Sequence, residues 1–131
     1  MSKTFEFLND CGVFFVTTVN ENLPAARPFD AVMEYEGELY LSTGNTKDVY
    51  FQMKKNPNIQ VVALKHDTRD WIRVLGKAEE VFENSYKEAM LDACPKLKKI
   101  FKPEDWETFA LFKITDRVSY LSLSDVVSEV D

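Results

Sequence analysis

The chain has 131 residues, 45% hydrophobic and 13% aromatic, with 22 acidic against 16 basic side chains and a net charge of -6. That length suits one domain spanning 1–131, and the apolar fraction suits a folded core rather than a disordered polymer. The acidic balance argues against nucleic acid or an anionic membrane surface as partner. No apolar run reaches the ~20 residues of a membrane helix, and Met1–Thr4 carries no secretory core.

In chain order, Phe5, Phe7 and Leu8 share a short helical face that ends near Gly12, a residue able to take the left-handed closing conformation. Val13–Val19 follows as a β-branched and aromatic run, the pattern of a strand buried on both sides. Pro24–Tyr35 alternates like a second strand. Glu36–Gly37 fits a hairpin, and Glu38–Thr43 returns as a third. Thr46–Lys55 switches to helical period, with Asn45 or Thr46 as the expected N-cap and Asn56–Pro57 as the stop. Ile59–Lys65 and Asp70–Phe82 again read as strands.

A second helix is expected from Asn84–Ser85, where Ser85 and Glu88 have capping-box spacing. Leu97–Trp106 reads as a short helix or loop interrupted by Pro103. Thr108–Leu123 is a long last strand, and Val126–Asp131 an acidic tail. About six strands joined by tight turns, with helices inserted, predict a mainly β (α+β) fold: an antiparallel, nearly closed barrel.

Little in the composition supports acid–base or nucleophilic catalysis. The sole histidine, His66, falls in a polar turn and reads as solvated. Cys11 and Cys94 lie far apart with no His or Cys at metal spacing. They read as buried or half-buried reduced thiols in a cytoplasmic protein. Glu79–Glu80 and Glu104–Asp105 read as solvated faces.

One constellation differs. If the second and third strands pair through Glu36–Gly37, then Arg27, beside Pro28 and Phe29, lies near Ser42, Thr43, Asn45, Thr46 and Lys47. A guanidinium, an ammonium, several hydroxyls and the free amides of a helix start would converge, which is what holds a phosphate dianion. The competing reading pairs Arg27 with a carboxylate and leaves Thr46 as a cap.

The ordered series Gly12–Val19, Arg27-Pro28-Phe29, Glu36–Tyr40, Ser42–Lys47, Asn56-Pro57 and Trp71–Ala78 resembles the pyridoxamine 5'-phosphate oxidase-like family. The nearest kin are its small general-stress and nitroimidazole-reductase-like members. The resemblance covers Phe5 to Leu123. It implies a six-stranded split β-barrel forming a homodimer, with FMN sites at the subunit interface. In that family's pattern Arg27, Pro28 and Phe29 run beside the flavin ring, Ser42 and Thr43 lie near the flavin, and Thr46 and Lys47 grip its phosphate.

Trp71 falls where relatives place a glutamine that reaches the flavin from the partner subunit. Where the family often has Ser-Arg-Lys, this chain has Thr46-Lys47-Asp48. It also has no arginine beyond Arg117, so pyridoxamine phosphate oxidation does not fit. The function implied is an FMN-dependent oxidoreductase, with NAD(P)H reducing a small-molecule substrate. The alternatives are a non-catalytic flavin or haem carrier on the same fold, and a cofactor-free dimeric interaction protein.

Overall fold

Ser2 begins the first helix by accepting the Phe5 N–H at 3.1 Å, and Gly12, at φ +78°, ends it. The computed structural model describes all 131 residues. Its elements are α1 (Lys3–Cys11), β1 (Phe14–Asn20), β2 (Leu23–Phe29), β3 (Met33–Tyr35), β4 (Glu38–Gly44), α2 (Asp48–Lys55), β5 (Asn58–Leu64), β6 (Trp71–Val81), α3 (Asn84–Ala93), β7 (Phe109–Leu123) and β8 (Val126–Val130). Two 3₁₀ segments, Pro95–Lys99 and Pro103–Thr108, join α3 to β7. All strand pairs are antiparallel, in the order β2-β1-β5-β6-β7-β4-β3, with β8 on β7. The class is the one expected, a mainly β split barrel with inserted helices.

The strand count is eight rather than about six, for two physical reasons. Pro24–Tyr35 breaks at Asp30–Val32, so β2 pairs with β1 while β3 alone pairs with β4 through the Glu36–Gly37 hairpin. The acidic tail is also a strand. Ser124 and Asp125, at φ 51° and 67°, form a tight turn that folds β8 back on β7. Asp131, directly after β8, then accepts from the N–H groups of Lys3 and Thr4 and so ties β8 to α1.

One-sided alternation governs the sheet. Phe14, Val16, Val61, Ile72 and Val74 point inward and are buried, while Phe15, between two of them, is 50% exposed. The two-sided burial expected of β1 therefore holds for its inner face only. Gly76 marks a close approach: a Cβ there would lie 2.6 Å from Ile114 Cγ2, where β6 and β7 shift register between Leu75 and Lys77. A smaller apolar cluster, including Tyr40, Met90, Leu97, Phe109 and Leu111, seats α3 and the first 3₁₀ segment against β4 and β7.

Candidate functional site

The unpaired gap between β2 and β4 leaves a cleft of about 230 Å³. Arg27, Pro28 and Phe29 form one wall, Ser42, Thr43 and Gly44 the other, Lys47 and Val49 the start of α2, and Leu97, Ile100 and Phe101 the rim. Arg27 and Ser42 thus converge, although not by the expected hairpin. The chain bend at Asp30–Val32 turns β2 away from β4 and opens the space between them.

Arg27 is held from behind. Its Nη1 donates to Val16 O (3.2 Å), Thr18 Oγ1 (2.8 Å) and Ala25 O (3.0 Å), and its Nη2 to Gln52 Oε1 (2.7 Å). No carboxylate pairs with it, so the competing ion-pair reading does not describe this site. Burial lowers its pKa from the ordinary arginine value, partly offset by the charge of Asp48. Gln52, on α2, also accepts from Thr18 Oγ1, so one amide oxygen locks β1, β2 and α2 together. Nothing in the sequence singled out Gln52; only its spacing, one turn after Asp48, places it toward β1.

Ser42 Oγ is the one buried side-chain polar atom without a hydrogen-bond partner, and it belongs to the cleft wall. A buried orphan hydroxyl is costly unless something meets it. Lys47, not Asn45 or Thr46, is the N-cap of α2 and gives no side-chain cap; the Tyr50 N–H donates to Lys47 O, which leaves the Asp48 and Val49 amides free at the helix start. Lys47 is in no ion pair. These features fit an anionic, hydroxyl-rich group such as a ribityl phosphate.

Three expected residues lie elsewhere. Thr46 sits in an exposed turn outside the cleft lining. Asn45 instead fastens the second 3₁₀ segment to β4: its Nδ2 donates to Glu107 O at 3.0 Å, and its N–H to Thr108 O at 2.8 Å. Trp71, on the outer face of β6, is not brought to this cleft within one chain. It forms one side of an aromatic pair around Arg73, whose guanidinium lies 5.4 Å from the Trp71 ring and 5.5 Å from the Tyr120 ring.

His66, Cys11 and Cys94 lie outside the cleft lining. His66 is exposed, with Asp67 Oδ2 at 3.3 Å. Burial pushes both thiols up, and Cys94 Sγ donates to Val32 O. No group of His, Cys, Asp and Glu could hold a metal, and no helix is long and apolar enough to cross a membrane. Glu80 departs from its expected solvated place: its side chain, 7% exposed, accepts from Tyr50 Oη at 2.8 Å and meets Lys54 Nζ at 2.9 Å. The aromatic contact and paired ammonium explain its burial.

The fold and cleft define a class, split β-barrels with a cleft where the sheet fails to close. The chain belongs to the pyridoxamine 5'-phosphate oxidase family, whose model matches residues 2–117. Among solved structures, a NimC/NimA family protein from Clostridium acetobutylicum is 34% identical, with a TM-score of 0.90 over 97% of this chain and 88% of that one. A putative pyridoxamine 5'-phosphate oxidase from Listeria innocua is 22% identical, with a TM-score of 0.70 over 88% of this chain and 93% of that one. An FAD-binding protein from Mesorhizobium loti shares the fold at 16% identity, with a TM-score of 0.66 over 91% and 92% of the two chains. A search of curated proteins gave no match.

Proposed function

We propose that the cleft binds FMN and that the protein is an FMN-dependent oxidoreductase in which NAD(P)H reduces a small acceptor. The observation that carries this reading is the orphan hydroxyl of Ser42 opposite Lys47 and the uncapped start of α2. Lys47 and the α2 amides would hold the phosphate, and Ser42 and Thr43 the ribityl hydroxyls. Arg27 lends positive charge from a fixed position, with Pro28 and Phe29 lining the path of the ring. When bound, FMN supplies hydride and electron transfer through its own ring system, which suits a chain without an acid–base constellation.

The protein is further proposed to be a cytoplasmic homodimer in which a second copy covers the outer face of β1, β5, β6 and β7. Phe15, Leu64, Leu75 and Val118 are exposed there side by side with Trp71. An apolar sheet face of that kind favours an isologous contact, and it would carry Trp71 toward the partner's cleft. A haem carrier fits less well, because His66 is remote from the cleft lining and solvated.

The deciding experiment is titration of FMN and riboflavin, read by flavin fluorescence. FMN should bind at least ~10-fold tighter than riboflavin, and Lys47→Ala should erase most of that difference, since one charge-assisted bond contributes roughly 1.5–3 kcal/mol. Equal affinity for both flavins, or none for either at tens of micromolar, overturns the assignment. Consumption of NAD(P)H with FMN and a quinone acceptor separates enzyme from carrier.

A further inference from the structure

A second cavity, of about 500 Å³, lies between α3 and the two 3₁₀ segments. It adjoins the first cleft through Phe101, which lines both. Its volume falls in the range of small-molecule sites, and the proposed flavin site leaves it unused. Phe101 and Trp106 give it apolar aromatic wall, Lys98 and Lys102 a cationic side, and Glu88 an acceptor. The indole of Trp106 is fixed: its Nε1–H donates to Asn84 Oδ1 at 2.9 Å, and the Phe109 ring stands 6.2 Å away.

Lysines and carboxylates alternate around it, with Glu88 on the wall, Asp92 beside Lys98, and Glu104 and Asp105 in the adjoining 3₁₀ segment. Lys87 is 9% exposed, forms no ion pair, and holds its ammonium 5.7 Å from the Trp106 ring centroid. The Lys102 ammonium is in no ion pair, while its backbone N–H donates to Asp105 Oδ2 at 3.2 Å, and Lys98 meets exposed Asp92 at 3.5 Å. A planar ring system carrying a phosphate satisfies each part: stacking or edge contact on the aromatic wall, charge on the lysines, and an exocyclic amine or ribose hydroxyl on Glu88.

We propose that this cavity is an adenosine-phosphate subsite beside the flavin cleft, recognising the purine by Trp106 and Phe101 and the phosphate by Lys98 and Lys102. Two ligands carry that group: the AMP half of FAD, with its flavin half in the first cleft, or the adenosine half of the nicotinamide nucleotide. The assignment deepens the flavin reading and rests on it for the link between the cavities, while the cavity itself is testable alone. Asn45 gives that link its rigidity, since it pins Glu107 and Thr108 to the end of β4.

The test is calorimetric titration of the wild-type protein and of Lys98→Glu/Lys102→Glu with 5'-AMP, FMN and FAD. FMN-saturated protein is then titrated with NADH and NADPH. The charge reversal is on the surface and should leave FMN affinity unchanged while weakening 5'-AMP at least tenfold; Trp106→Ala, checked for native circular dichroism, should do the same.

FAD binding at least tenfold tighter than FMN, with the advantage lost in both variants, supports the proposal and assigns the flavin dinucleotide. Equal FMN and FAD affinity with a tenfold loss of NADH or NADPH binding supports it and assigns the electron donor. Binding of 5'-AMP with that loss, but no binding of any flavin, keeps the subsite and removes the flavin reading. Intact FMN binding with 5'-AMP and both dinucleotides indifferent to the substitutions overturns the subsite alone.

Discussion

The inner and outer faces of the sheet made by β1, β5, β6 and β7 carry similar residues in opposite surroundings. Inward, the register row Val16–Val61–Val74–Ser119 is at most 1% exposed. Outward, Phe15 faces Val62, Val62 faces Arg73, and Arg73 faces Tyr120 in the adjacent row, with Phe15 50% exposed. Period-two alternation ordinarily separates apolar from polar. Here it separates a finished core from a face that mixes apolar side chains with Gln60 and Arg73, the face assigned to the proposed second copy.

Substitution on the two faces should break the molecule in different ways. Phe112→Ala, in the inner core, should cost about 3–5 kcal/mol in denaturant unfolding, from lost transfer energy and the cavity left behind. Leu75→Glu with Val118→Glu, on the outer face, should keep native circular dichroism yet run as a monomer at micromolar concentration by light scattering. A dimer surviving that double substitution would place the cover elsewhere.

Between the faces, Gly76→Ala drives a methyl against Ile114 and the Thr115 carbonyl, 3.0 Å away, and should cost roughly 1–3 kcal/mol because β7 backbone must yield. Equal stability of that variant would show that the register shift is soft.

Smaller effects probe the cleft. Asp48→Asn removes a carboxylate from the first turn of α2, which should tighten FMN about two- to five-fold while costing the helix ~0.3–1 kcal/mol. Unchanged affinity would move the phosphate away from α2.

A further effect is alkaline. Burial, reinforced by the nearby Tyr86 and the Glu36, Glu38 and Glu83 charges, raises Tyr40 to about 12. Its folded-state pKa therefore exceeds the unfolded value near 10, so its contribution is complete below about pH 10 and declines as pH rises toward 12. Denaturation midpoints measured across that window should fall, and Tyr40→Phe should flatten part of the fall.

Much of the architecture was legible from periodicity, and the failures share a cause. The alternation of Phe29, Ala31 and Met33 runs smoothly through Asp30–Val32, so nothing local signals that β2 and β3 belong to different pairings. Ser124–Asp125 makes a tight turn without the glycine that advertises one, which hid β8. By contrast α3 begins at Asn84, as its sequence indicates, but Glu83 is its N-cap and makes no side-chain bond, so the capping spacing of Ser85 and Glu88 goes unused.

Site residues were legible as chemical types: Arg27, Ser42, Thr43 and Lys47 do converge on one cleft. What the sequence withheld were long-range partners. Asn45 looks like a cap but serves a segment more than sixty positions later, and Gln52 looks like an ordinary helix residue but anchors Arg27.

The clasp between Thr4 and Asp131 has a kinetic meaning. Thr4 Oγ1 donates to Asp131 O at 2.6 Å and accepts from the Ser119 hydroxyl at 2.7 Å, so a single threonine closes a loop of nearly the whole polypeptide. Such a contact gains nothing until the intervening chain is already in place, which makes it a late event in folding and an early one in opening. Amide exchange should therefore find α1 and β8 releasing together, as one latch, before the sheet beneath them lets go.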